Sequence, residues 1–240
     1  MTYQSSNGVL YNGDCISVMQ NLESGIVDAV ITDPPYSSGG LHANARQKPP
    51  QDKYANVGGG HFFFGDTMDQ RSYYRWCLEW CREAHRLTKE NGVICVFTDW
   101  RQLPIITDVL QASGWLWKGT APWDKRNARP LKGGMRAQCE YIVWGCKGKL
   151  VGDVYLPGIF SVPIIQGNKR LHSMQKPQAL LESLIKLAPD GGTVLDMFAG
   201  SGSTLAAAEA CGRKWLGIEY GANFCEVIRD RLNLSFPVAV

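Results

Sequence analysis

Alternating strand-like and helix-like segments place this 240-residue chain in the α/β class, as three observations indicate. Short apolar runs that read as buried strands recur at 26–31, 93–97, 140–144, 193–198 and 214–218, with helical patterning between most of them. Two of these runs end in abrupt turns, Asp33-Pro34-Pro35-Tyr36 and Ala199-Gly200-Ser201-Gly202. Apolar and charged fractions of 45% and 20% are those of a globular chain, for which one domain with insertions is the simplest division.

In chain order, residues 8–15 read as a short strand and a turn, and Ile16 to Leu22 as a short helix with Asp14 near its positive end. The strand ending at Asp33 follows. Residues 37–61 are rich in glycine, proline and polar side chains; so long a structureless stretch beside a strand end predicts a mobile loop that closes on substrate. A helix from about Ser72 to Leu87 carries Trp76, Trp80 and Ala84 on one stripe, which reads as core. Asn91-Gly92 ends that unit, and Val93 to Phe97 is the next strand. A helix over 101–112, an aromatic strand over 114–123, and a strand from Glu140 to Trp144 follow. Residues 146–175 lack periodicity. A helix begins at Gln175-Lys176-Pro177 and runs to Ala188. The 193–198 strand feeds the glycine turn, Ser203 opens a helix that Gly212 ends, and Lys214 to Ile218 is a strand with Glu219 at its tip.

Composition excludes several classes of function. No apolar run approaches the ~18–20 residues that span a bilayer. The polar start, Met1 to Asn7, has no signal-peptide pattern, so a cytoplasmic location is expected. The eight cysteines include no Cys-x-x-Cys pair; Cys77, Cys81 and His85 share a helical face, but a buried face explains them better than a metal, and none is expected. Net charge is only +3, yet 118–149 holds eight basic and two acidic residues. Such a local basic segment suits a phosphate backbone, with Arg126, Arg129, Lys132 and Arg136 as candidates for phosphate or base contacts; a solvated surface loop would look the same.

The Asp33 turn has a chemical logic. Two prolines fix the exit of the chain, and the residue before a proline is held extended at the strand's carboxyl end, where ligand sites form in open α/β sheets. A carboxylate, the Pro34 carbonyl and the Tyr36 ring together offer two acceptors and a stacking face. They suit a planar group bearing an amine, such as a nucleobase turned out of its stack. Alone, the turn could equally be an ordinary one. The second unit is a strand, a glycine turn, a helix and then an acid about 20 residues on, which fits a nucleoside with Glu219 on its ribose. Its spacing departs from the Gly-x-Gly-x-x-Gly of pyrophosphate binders, which makes a nicotinamide enzyme the less favoured reading.

Taken together, Asp33-Pro34-Pro35-Tyr36 and Asp196-Met197-Phe198-Ala199-Gly200-Ser201-Gly202 resemble the S-adenosylmethionine-dependent DNA amino-methyltransferases. The catalytic motif precedes the cofactor motif, which is similar to the permuted beta class. The resemblance covers nearly the whole chain. It implies a Rossmann-like methyltransferase fold, with a mainly parallel sheet and helices on both faces. The implied catalytic set is Asp33, Pro34, Pro35 and Tyr36. The implied cofactor set is Asp14, Cys15, Asp33, Lys176, Phe198, Ala199, Gly200, Ser201, Gly202, Glu219 and Tyr220, with Lys176 a candidate for the cofactor carboxylate and His172 in the adjoining segment. Residues from 118 to about 170 fall where the family carries its target-recognition region.

The same resemblance implies double-stranded DNA as substrate, a prokaryotic or phage setting and a homodimer, although the residues carry no heptad or other interface signal. Within the family, aspartate at the first motif position is typical of adenine enzymes and serine of many cytosine enzymes. Asp33 therefore favours adenine N6. Cytosine N4, and a catalytically inactive nucleic-acid-binding protein on the same fold, are the alternatives.

Overall fold

A computed structural model describes residues 2–37, 68–128, 130–164 and 176–236. The loop expected at 37–61 lies outside these residues except for Ser37, as do His172 and Arg129. The strands are β1 (Thr2–Gln4), β2 (Gly8–Asn12), β3 (Val27–Thr32), β4 (Thr88–Thr98), β5 (Leu116–Asp124), β6 (Cys139–Cys146), β7 (Phe160–Ser161), β8 (Thr193–Asp196) and β9 (Lys214–Glu219). The helices are α1 (Cys15–Gln20), α2 (Gln70–Leu87), α3 (Leu103–Ala112), α4 (Gln178–Ile185), α5 (Ser203–Ala210) and α6 (Ala222–Leu232).

All nine strands form one sheet in the order β1-β2-β9-β8-β3-β4-β6-β5-β7. Strands β2, β9, β8, β3 and β4 are mutually parallel, whereas β6 runs antiparallel to both β4 and β5. Strand alternation sends Ala29, Ile31, Cys95 and Phe97 to one face, where they pack with α4, α5 and α6. Val30, Ile94 and Val96 go to the other, with α1, α2 and α3. The mainly parallel, doubly covered sheet is the fold expected from the sequence.

Several boundaries differ from expectation. Strand β4 begins at Thr88 and takes in Asn91-Gly92; the register slips opposite Val27–Ala29, and Asn91 adopts φ +69° within the resulting bulge. Helix α4 starts at Gln178, with Lys176 outside it and Pro177 as its N-cap. It stops at Ile185, the chain closing through tight turns from Leu187 N–H to Leu184 O and Ala188 N–H to Ile185 O. Helix α3 starts at Leu103 because Asp99 accepts the N–H groups of Arg101 and Gln102 and holds that stretch as a turn. Strand β1, helix α6 and the short strand β7, which lies in the stretch 146–175 expected to be irregular, are additions to the expected elements.

The Cys77–Cys81–His85 face is packed into the core. Both thiols are buried, Cys81 Sγ accepts from Ser113 Oγ at 2.9 Å, and the His85 ring meets Trp115 edge-on at 5.1 Å. Burial pushes the Cys81 thiol up to about 12, so it stays protonated and inert.

Close approach of β2 to β9 depends on Gly8. A Cβ there would lie 2.4 Å from the Trp215 carbonyl oxygen and 2.2 Å from its indole. Gly8→Ala is expected to lower stability by about 1–3 kcal/mol, seen as a lower urea midpoint at unchanged slope.

Candidate active site

The candidate functional residues gather along the carboxyl edge of the parallel strands. Strands β3 and β8 are neighbours, but the chain leaves β3 toward β4 on one side and β8 toward β9 on the other. That divergence opens a crevice at the strand ends, the general ligand position in such sheets. Asp33 stands directly after β3 and Asp196 ends β8. The two tips are tied by Thr32 Oγ1 donating to Asp196 Oδ1 at 2.8 Å.

On the β8–β9 side, Asp196 also accepts the Phe198 N–H at 3.1 Å, which orients the turn that follows. Gly200 and Gly202 have φ of +53° and +77°, values that side chains rarely adopt, and Gly202 N–H donates to Ala199 O at 2.7 Å. A Cβ on Gly200 would meet nothing nearer than 4.0 Å, so the turn opens onto free space. Glu219 closes the unit: its carboxylate accepts the N–H of Gly200 at 2.8 Å and of Gly221 at 2.7 Å. Burial pushes Glu219 up to about 7 against those two bonds, and Asp196 up to about 6 against its hydroxyl and N–H partners.

Four further cofactor candidates lie around this turn. The ring of Phe198 packs on Trp76 and Trp80, centroids 5.4 and 5.7 Å away. Ala199 N–H donates to Ile218 O, while Ser201 is buried and its carbonyl accepts from Arg231 of α6 at 3.0 Å. Tyr220 is exposed, and its carbonyl is tied to Asn12. Gly13 N–H donates to Glu219 O at 3.0 Å, which brings the Asp14–Cys15 turn beside the tip of β9. There Asp14 caps α1 by accepting from Ser17 N–H, and Cys15 is buried.

On the β3 side, Pro34 is buried, Pro35 is half-buried and Tyr36 is buried. The Tyr36 hydroxyl donates to Asp33 Oδ1 at 2.7 Å and lies 3.2 Å from Glu140 Oε2. Lys176, just before α4, is buried with its ammonium against Asp33 Oδ2 and 3.3 Å from Glu140. It also sits over the rings of Phe97, Tyr36 and Trp123 at 5.2, 5.6 and 6.0 Å. Lys125 takes the other Glu140 oxygen at 3.2 Å. Burial raises Asp33 above the usual carboxylate range despite Lys176 beside it. Glu140 is lowered: burial pushes it up, but Lys176 and Lys125 outweigh that. For Lys176, burial pulls down and the two carboxylates more than reverse it.

The surroundings of Lys176 differ from those expected. Both of its ionic partners come from the chain, and it serves Asp33 as counter-ion, so a cofactor carboxylate would have to compete with Asp33 and Glu140 for it. Glu140, Lys125, Phe97 and Trp123 are additions that sequence reasoning missed. Their arrival follows from strand direction. Because β6 is antiparallel, its first residues lie at the edge where the parallel strands end, with Tyr141 opposite Thr98 and Glu140 opposite Trp123. Among the expected nucleic-acid contacts, Arg126, Lys132 and Arg136 lie on the connection between β5 and β6, and all three are exposed.

Comparison with known proteins agrees with this geometry. The Type II methyltransferase M.HinfI of Haemophilus influenzae is 27% identical over 95% of this chain and 69% of its own length. Type II methyltransferase M2.MboI of Moraxella bovis is 26% identical over 95% of this chain and 89% of its own. The crystal structure of the M1.HpyAVI–SAM complex superposes with a TM-score of 0.66 at 26% identity, covering 93% of this chain and 98% of that one. The cytosine-N4-specific PvuII DNA methyltransferase shares the fold at a TM-score of 0.76 and 19% identity, covering 98% of this chain and 89% of that one. A family model described as DNA methylase matches residues 27–151 and 145–230, and the chain belongs to that family, the N6/N4 DNA methylases.

Proposed function

We propose that the protein methylates adenine N6 in duplex DNA, turning the target base out of the helix and transferring the methyl group directly in line. Membership of the family makes it a DNA methyltransferase acting on an exocyclic amine, adenine N6 or cytosine N4. Its cofactor, S-adenosylmethionine, supplies an electrophilic methyl group on a sulfonium when bound. The residues fit that molecule: the open glycine turn of 199–202 suits its methionine portion, and the half-buried Glu219 carboxylate can accept two ribose hydroxyls. Asp14 and Cys15 border the same turn on the adenine side.

The observation that supports the reading is that Asp33 directly follows β3, whose tip is tied to the end of β8 by Thr32 and Asp196, beside this turn. An exocyclic amine is a weak nucleophile because its lone pair is delocalised into the ring. Asp33 and the Pro34 carbonyl accept its two hydrogens and favour a lone pair directed at the methyl carbon. As the N–C bond forms the S–C bond would break, the sulfur leaving as a neutral thioether and one amine proton passing by way of Asp33 to solvent, and the two acceptors stabilise the charge that develops on the amine. Tyr36 fixes Asp33 through its hydroxyl and offers its ring to the base. With Asp33 only 23% exposed, a base stacked in a duplex cannot reach it, so the base leaves the stack. No cysteine acts as nucleophile. Aspartate at the first motif position favours adenine over cytosine.

Residues 118–170 are the proposed target-recognition region. Within it β5 and β6 belong to the central sheet, so the basic connection 125–138 reaches outward from the site. Charge removal at Arg126, Lys132 and Arg136 is expected to weaken DNA binding and to flatten the plot of log affinity against log salt by about 0.9 for each phosphate no longer neutralised. Two copies form the proposed assembly, which sedimentation at several concentrations tests. Among the described residues no helix is long and apolar enough to cross a membrane.

Glu219 gives a pH test of the cofactor site. Its pKa is raised from 4.5 to about 7, so its contribution to stability is full below the ordinary value and is lost as pH rises through about 7. Ribose hydroxyls need the ionised carboxylate as acceptor, so cofactor affinity has the opposite sign and rises through about pH 7, which calorimetry at several pH values measures.

The base assignment is tested with mixed-sequence duplex DNA, labelled S-adenosylmethionine and a nucleoside digest resolved by mass. N6-methyladenosine is the expected product. Methyl on the cytosine amine would keep the mechanism and overturn the base.

A further inference from the structure

We propose that Lys176 is a stand-in for the target amine, and that Glu140 is the residue that takes its ammonium over when a base enters. The inference rests on Asp33 being the amine acceptor, as argued above. It makes Lys176 and Glu140 positioning residues for Asp33, acting on the reaction through that carboxylate.

The ammonium occupies the features a target amine would use. It bears N–H donors, one of which meets Asp33 Oδ2, and it lies over the Tyr36 ring. The second Asp33 oxygen is taken by the Tyr36 hydroxyl at 2.7 Å. Each Asp33 oxygen thus already accepts one donor from within the chain, and the ammonium on Oδ2 fills the place over the Tyr36 ring that an entering amine would take. Lys176 has somewhere to go. Glu140 Oε2 is already 3.3 Å from its Nζ, and the Tyr36 hydroxyl, 3.4 Å from Nζ, bridges the two carboxylates.

Moving the ammonium from Asp33 to Glu140 keeps it within the cluster, so the two carboxylates retain a cation between them. Removing it from both would leave an uncompensated buried ion, which is strongly unfavourable. The groups facing Asp33 are Tyr36 from its own turn, Lys176 ahead of α4, Glu140 at the start of β6 and Asp196 at the end of β8; Lys125, after β5, faces Glu140. Two ammonium groups therefore balance Asp33 and Glu140. Lys125 opens the basic connection 125–138 and is 20% exposed. Lys125 stays on the other Glu140 oxygen at 3.2 Å, so the balance of two ammonium groups and two carboxylates is kept as Lys176 moves.

The test is single-turnover methyl transfer against pH for the wild type, Glu140→Gln, Lys176→Met and the double variant. Cofactor affinity and thermal melting are measured for each, so that a misfolded variant is recognised. Glu140→Gln leaves the ammonium on Asp33 and is expected to slow transfer on the order of tenfold or more with unchanged cofactor affinity. Adding Lys176→Met removes the obstruction, so the double variant is faster than Glu140→Gln in the alkaline range. Lys176→Met alone leaves Asp33 buried beside Glu140 without its counter-ion, so Asp33 keeps its proton to higher pH and the acid limb of the profile moves upward.

A double variant as slow as Glu140→Gln at every pH overturns the proposal, as does a Lys176→Met profile that falls uniformly with no movement of the acid limb. If the wild type binds cofactor but transfers no methyl group to DNA, the assignment of Asp33 falls, and the proposal with it. That outcome is distinct from an active wild type whose double variant does not recover.

Discussion

Asp33→Ala is expected to reduce methyl transfer by on the order of 10³-fold or more while cofactor binding survives. In the proposed mechanism the carboxylate is the charged member of the pair of acceptors for the amine, and the neutral Pro34 carbonyl cannot replace it. Its removal should act on the chemical step, so the loss appears in the single-turnover rate and not in the affinity for S-adenosylmethionine. The fold should tolerate the change, because Lys176 keeps Glu140 at 3.3 Å and the Tyr36 hydroxyl keeps the same residue at 3.2 Å. Asp33→Asn is the finer probe. An amide retains one acceptor oxygen but carries no charge, and its NH2 group is set against the donors of Lys176 and Tyr36, so a large loss is expected there too. A variant with near wild-type turnover would remove Asp33 from the mechanism.

Glu219→Ala is expected to weaken cofactor binding on the order of 100-fold, the scale of losing charge-assisted hydrogen bonds to two hydroxyls. Two effects add. The ribose loses its acceptor, and the N–H groups of Gly200 and Gly221 lose the carboxylate that aligns the turn with the tip of β9. Glu219→Gln should fall between, since its amide presents donors to at least one of those N–H groups. Calorimetric titration measures the affinity. With cofactor at saturation the single-turnover rate should recover far more than in Asp33→Ala, and that contrast separates the cofactor half of the site from the target half.

The candidate cofactor half was the more legible in the sequence, because its geometry is written in local backbone demands. Gly200 and Gly202 adopt positive φ in the turn, Asp196 orients it, and Glu219 follows at the end of the next strand, all within one strand–helix–strand unit. Asp33 was legible for the same reason: paired prolines and a preceding apolar run mark a strand end. Glu140 was not. It lies 107 positions from Asp33 in the chain, and only the reversed direction of β6 between β4 and β5 brings its carboxylate to the shared edge. The surroundings of Lys176 were hidden for a related reason. Position beside a helix start identified it as unusual, but its partners come from β3 and β6, which no local pattern records. Among the elements, β4 is longer than its apolar run because Asn91-Gly92, which has the composition of a turn, is drawn by tertiary pairing into a bulge inside the strand.

The central claim is that Asp33 and the Pro34 carbonyl together hold the exocyclic amine of a base turned out of duplex DNA. A crystal structure of the protein with target duplex and an unreactive sulfonium-free analogue of S-adenosylmethionine measures this directly. The predicted result is an extrahelical adenine with N6 at about 2.7–3.2 Å from both an Asp33 carboxylate oxygen and the Pro34 carbonyl oxygen. A target base still stacked in the duplex, or an extrahelical base whose amine contacts neither atom, would contradict it.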